Sequence, residues 1–162
     1  MNYFRSVVAL IAFVLFFSMI QDTQAQQRAY GNLGAGVMVG HPTGLSGKMW
    51  LSDQNAFHGA IAWEFSPRTR FHLHFDYARY NYEAIQAQVG TLAFYYGIGG
   101  RLLTGSTASD RLGVRFPLGL NYEFDDHPIE IFVEAVPLLD LSPGTYVRVN
   151  SGAGLRYYFG SE

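Results

Sequence analysis

From Tyr30 onward, apolar and polar side chains alternate with a period of two, which predicts strands carrying one oily face and one polar face. Four stretches show this most cleanly. Phe71, Leu73, Phe75 and Tyr77 point one way, while His72, His74 and Asp76 point the other. Leu112, Val114, Phe116, Leu118, Leu120, Tyr122 and Phe124 share a face against Arg115, Asn121 and Glu123, with Gly113 and Gly119 on the polar side. Ile129, Ile131, Val133 and Ala135 oppose Glu130, Phe132 and Glu134. Val147, Val149, Ala153, Leu155, Tyr157 and Phe159 oppose Arg148, Asn150 and Arg156, and Gly152 and Gly154 fall on the polar face.

Turn chemistry divides the chain into eight such segments, residues 30–40, 43–51, 56–65, 70–80, 91–103, 110–124, 128–137 and 146–159. The breaks hold His41-Pro42, Ser52-Asp53-Gln54-Asn55, Ser66-Pro67-Arg68, Thr104-Gly105-Ser106, Asp125-Asp126-His127 and Ser142-Pro143-Gly144. Residues 81–90 fit either a helical turn or a longer strand. Pro117 cannot donate to a ladder and is expected at an edge or a bulge. An even number of strands near ten residues each predicts an all-β fold, a single eight-stranded antiparallel up-and-down barrel.

Which face points inward decides the environment. The polar face carries charge and repeated Gly, where a solvated exterior would carry Lys, Thr and Gln. Gly beside large side chains suits the narrow inside of a small barrel. Ten charges are expected there, Lys48, Arg101, Arg115, Arg148 and Arg156 against Glu64, Asp76, Glu123, Glu130 and Glu134. Five against five is the balance that a buried ion-pair network needs, because an unmatched buried charge is strongly destabilising. The other face is apolar, with Tyr30, Phe57, Trp63, Phe65, Tyr122, Phe124, Tyr157 and Phe159 near strand ends, the pattern of a lipid-facing band with aromatic girdles. The alternative is a soluble lipocalin-like carrier with the apolar face inside, whose exterior would then be short of Lys.

The N-terminus points to the same compartment. Arg5 precedes an apolar run from Val7 to Ile20 broken only by Ser18, and Thr23-Gln24-Ala25 fits a cleavage site. The run is shorter than the roughly 20 residues that span a bilayer. Residues 1–25 are therefore expected to be a removed signal peptide and 26–162 one barrel domain. With no Cys, disulfide scaffolds and a lipoprotein anchor are excluded. One Lys against ten Arg and a net charge of −2 give no footprint for nucleic acid.

Candidate chemistry is confined to the polar face. His72, His74 and Asp76 at spacing two could bind a metal with Glu64 or His58 from the next strand, or supply a base for a lipid hydrolase with Ser46 as nucleophile. The bland alternative is that His58, His72 and His74 fill the lumen and join the charge network, and this is the expectation adopted, with no catalytic residue, cofactor or metal. Tyr95, Gly97, Gly99 and Arg101 lack the phosphate-cradling spacing that a nucleotide loop needs.

The last strand ends Gly154-Leu155-Arg156-Tyr157-Tyr158-Phe159. This resembles the C-terminal β-signal of outer-membrane proteins, with Gly154, Tyr157 and Phe159 in the signal positions, and implies recognition by the barrel-assembly machinery. The runs Pro42-Thr43-Gly44-Leu45-Ser46 with Lys48, Tyr96-Gly97-Ile98-Gly99-Gly100-Arg101, Gly113-Val114-Arg115-Phe116-Pro117-Leu118-Gly119-Leu120 and Glu130-Ile131-Phe132-Val133-Glu134 are similar to those of small outer-membrane β-barrel proteins of the eight-stranded OmpA-like type. The resemblance implies a transmembrane barrel in the cell outer membrane, surrounded by outer-membrane lipid, and carries no catalytic residue. A monomer with periplasmic termini is expected, with residues 40–43, 65–70, 103–110 and 138–145 as the outward connections and Leu139-Asp140-Leu141 as a small contact patch. A side-chain-filled, charge-paired lumen points to a non-enzymatic structural or interaction role. A narrow gated, porin-like channel and a lipid A-modifying enzyme are the competing functions.

Overall fold

The computed structural model describes residues 30–64, 70–83, 89–105 and 108–160, without the side chains of Glu64, Ala108 and Ser109. The expected signal peptide, Phe65 and most of the connection after residue 83 lie outside the described residues.

Nine strand segments follow in chain order: β1 (Leu33–Gly40), β2 (Gly44–Trp50), β3 (Asn55–Glu64), β4 (Arg70–Asn81), β5 (Thr91–Gly105), β6 (Ala108–Arg115), β7 (Leu118–Glu123), β8 (Ile129–Ser142) and β9 (Tyr146–Phe159). All pairings are antiparallel. Apart from β6 and β7, each strand pairs with its sequence neighbour, β9 returns to β1, and β6 and β7 lie end to end between β5 and β8. The result is a closed ring of eight strand positions that leaves no edge unpaired.

The sixth position is split by Pro117, and the way it is split departs from the edge or bulge expected there. Pro117 sits between two paired strands. Its carbonyl still accepts from Gly97 N–H at 2.9 Å, and Phe116 N–H donates to the carbonyl of Pro137 at 2.9 Å. The register is the same before and after the break, with Gly99 opposite Arg115 and Tyr96 opposite Leu118. Only the missing N–H interrupts the ladder. The register shifts fall elsewhere, between Leu112 and Gly113 and between Leu103 and Gly105.

A second difference concerns β8. The segment expected to stop at Pro137 continues to Ser142, because Pro137 pairs with Val149 and the alternation resumes beyond it. The connection to β9 shrinks to residues 143–145. Leu139-Asp140-Leu141 is thus part of a strand rather than an outward contact patch.

The wall is apolar outside and charged inside. Leu33, Val37, Leu45, Ile61, Leu73, Ile98, Leu120, Val133 and Leu155 are exposed on the outer surface. Lys48, His58, Asp76, Arg101, Arg115, Asn121, Glu130, Glu134, Asp140 and Arg156 are buried in the lumen. Tyr157 and Phe159 stand on the outer wall with rings 5.3 Å apart, as do Tyr122 and Phe124 at 4.9 Å. Tyr30 departs from the expected outer girdle. It packs against the aromatic cluster inside the barrel and donates its hydroxyl to the Asp125 carbonyl at 2.6 Å. Because it precedes β1, strand alternation does not govern where its ring goes.

Candidate functional site

Side chains fill the lumen in three levels. The level nearest the chain termini is built on Lys48 of β2. Its ammonium lies 2.6 Å from Glu130 Oε2, 3.4 Å from Asn121 Oδ1 and 4.0 Å from Glu123 Oε1. The same nitrogen sits over the rings of Trp50 at 3.8 Å and Tyr80 at 4.2 Å, so cation–π attraction joins the ion pair. Trp50 Nε1 donates to the Tyr158 hydroxyl at 3.0 Å, and that hydroxyl donates in turn to Glu130. Arg156 from β9 binds the other oxygen of Glu130 at 2.6 Å, donates through Nε to Ser46 Oγ at 2.9 Å, and stacks 3.8 Å above the Phe132 ring. One buried carboxylate therefore serves two cations and a phenol, which is how a pair of this kind overcomes its desolvation.

The middle level is centred on Arg115. Its Nε reaches both oxygens of Asp76 at 3.0 and 3.1 Å, and Nη2 lies 3.4 Å from Glu134 Oε1. Tyr95 donates to the second oxygen of Glu134 at 3.0 Å. Glycine makes this fit possible. A Cβ on Gly119 would stand 2.4 Å from the Tyr95 ring, and one on Gly154 would stand 2.5 Å from the Phe132 ring.

At the level farthest from the termini, Asp140 joins two arginines. Arg101 Nε and Nη2 both reach Oδ1, at 3.1 and 2.5 Å, and Arg148 Nε donates to Oδ2 at 3.2 Å. Arg148 is the open member, its side chain 46% exposed. Among the described residues, the positions in ion pairs are Lys48, Arg101, Arg115, Arg148 and Arg156 with Asp76, Glu123, Glu130, Glu134 and Asp140. The Glu64 side chain lies outside the described part.

Asp140 is the participant that sequence reading missed. The alternation Glu130, Phe132, Glu134, Val136, Leu138, Asp140 places it on the inner face, but a proline at 137 reads locally as the end of the strand. Tyr80, Tyr158 and Trp50 were missed for another reason. As mostly apolar side chains they do not announce that their polar tips complete a charge network.

His58, His72 and His74 all point inward. His58 Nε2 lies 2.6 Å from the Tyr80 hydroxyl, His74 Nε2 is 3.8 Å from Asp76 Oδ2, and the rings of His72 and His74 are 5.4 Å apart. Among the described residues no three His, Asp or Glu side chains converge as metal ligands. Ser46 Oγ is held by Arg156. No hydrogen bond joins it to a histidine among the described residues, so the nucleophile and base of the hydrolase alternative are not brought together. Gly154, Tyr157 and Phe159 take their places on β9, the glycine beneath Phe132 and the two rings on the outer wall.

No protein-family model and no curated protein sequence matches the chain. Among solved structures, the crystal structure of the N-terminal β-barrel domain of Pseudomonas aeruginosa OprF is similar at a TM-score of 0.55 and 14% identity. That match covers 79% of this chain and 96% of the domain. The fold is an eight-stranded antiparallel barrel similar to that domain.

Proposed function

We propose that the protein resides in the outer membrane, reached by way of a removed signal peptide at residues 1–25, as a barrel with a closed lumen and a structural or interaction role rather than a catalytic one. The carrying observation is the inversion of the wall. A continuous apolar outer surface of this extent is unfavourable in water, and a monomeric soluble protein rarely exposes a patch beyond a few hundred Å². In a bilayer the same surface is matched to its solvent, and the closed ladder pairs the described strands' backbone around the ring, interrupted at Pro117. The paired charges across the lumen support closure, because an eight-stranded interior is just wide enough for side chains to fill. The C-terminal Gly154, Tyr157 and Phe159 support assembly through the barrel-assembly machinery, and the fold requires no partner chain to close.

The test is conductance of the purified protein in planar bilayers, with folding followed by heat-modifiability on detergent gels. The expected result is a faster-migrating unheated band from the outer-membrane fraction and no steady current. A steady current abolished by Arg101→Ala or Glu134→Ala would replace this reading with a gated channel.

A further inference from the structure

The mouth far from the termini holds a cavity of about 160 Å³ whose lining includes Arg70, Arg101, Arg111 and Arg148 together with His72 and Asn150. Among the described residues no carboxylate lines it. Arg101 and Arg148 are anchored from behind by Asp140, so their guanidinium groups are held in place while further N–H groups have no hydrogen bond among the described residues. Arg70 and Arg111 make no ion pair among the described residues. His72 is 6% exposed, and its Nε2 has no hydrogen-bond partner among the described residues. The carboxylates nearest in sequence register are Asp140 behind the arginines, Glu64 opposite Arg70, and the exposed Asp110 beside Arg111. Four guanidinium groups against these three carboxylates leave the mouth with a surplus of positive charge.

We propose that this mouth is a binding site for a phosphate group, either the head of a phosphorylated lipid or a phosphate free in solution. Planar guanidinium forks converging on one small cavity match the oxygens of a tetrahedral oxyanion, and a terminal phosphate brings about −1.5 to −2 of charge to them at neutral pH. A single carboxylate offers only two oxygens and would leave some of the four forks without an acceptor. The opposite mouth sharpens the assignment. Its cavity, about 240 Å³, is lined by Glu123, Asp125 and His127, and it would repel the same ligand.

The experiment is calorimetric titration of the full chain, folded in an uncharged detergent, with inorganic phosphate carried to about ten times a millimolar dissociation constant. The expected result is one saturable site, weakened at least tenfold by Arg70→Gln and by Arg111→Gln. Neither arginine has an ion-pair partner among the described residues, and both variants are expected to keep the heat-modifiable band. Arg79→Gln, at the other end of the barrel where Arg79 holds Gln54, leaves the affinity unchanged. Absence of saturable heat from a barrel that passes the gel test, or equal affinity in all three variants, overturns the proposal. Neither outcome bears on the closed-lumen reading, which fails separately by conductance. Repeating the titration in phosphatidylcholine bilayers with and without phosphatidic acid names the source. Loss of phosphate binding with phosphatidic acid identifies a lipid head, and unchanged binding identifies soluble phosphate.

Discussion

The two ends of one lumen use the same residue types to opposite effect. Near the termini, Lys48 and Arg156 are fully buried and share Glu130, under a lid of Trp50, Tyr80 and Tyr158. At the far mouth, Arg101 and Arg148 share Asp140, but Arg148 is half open, and Arg70 and Arg111 beside them have no ion pair among the described residues. Burial explains the contrast. Where water is excluded, each cation must meet a carboxylate, whereas at a wet rim a surplus cation keeps its hydration. Matched charge seals one end, and surplus charge makes the other able to receive an anion.

The contrast is broken most severely at Glu130. Glu130→Ala leaves Lys48 and Arg156 buried without their carboxylate and is expected to destabilise the barrel by about 3–5 kcal/mol. Denaturant unfolding in detergent, followed by loss of the faster-migrating band, measures it. The inside-outside inversion is probed by Val133→Arg, placed on the outer wall of β8 opposite Leu120 and Ala153. In lipid vesicles it is expected to cost about 2–4 kcal/mol, and a loss near zero would argue against a bilayer around that wall. Asp140→Asn removes the charge that Arg101 and Arg148 share while preserving shape. Because Arg148 is already half in water, a smaller loss of about 1–3 kcal/mol is expected in the same unfolding assay. At the small end, Arg70→Gln is expected to change stability by no more than about 0.5 kcal/mol, since no described partner is lost. A larger drop would show that Arg70 belongs to the sealed network after all.

Much of the ring was legible in the chain because strand alternation is local. Phe71 to Tyr77 and Leu112 to Phe124 announce their faces without reference to any neighbour, and the turn residues mark where each strand ends. Reading failed where a local rule met a tertiary one. Pro137 looked like a strand end, yet β9 pairs across it and carries β8 on to Asp140. Pro117 looked like an edge or bulge residue, yet neighbours on both sides hold its strand in register. Tyr30, beyond the reach of alternation, turned into the mouth instead of onto the wall.

The sequence by itself determined the number of strand positions, the oily and polar faces and the near balance of charge. Each follows from the period-two geometry of a single strand and from residue composition. Which cation meets which anion was decided only when closure of the barrel brought distant strands to one height. Lys48 and Glu130 are 82 residues apart, and Ser46 and Arg156 are 110 apart. Register across the ring sets those encounters, and so the sealed level, the Asp140 clamp and the cluster of arginines at the far mouth belong to the tertiary structure alone.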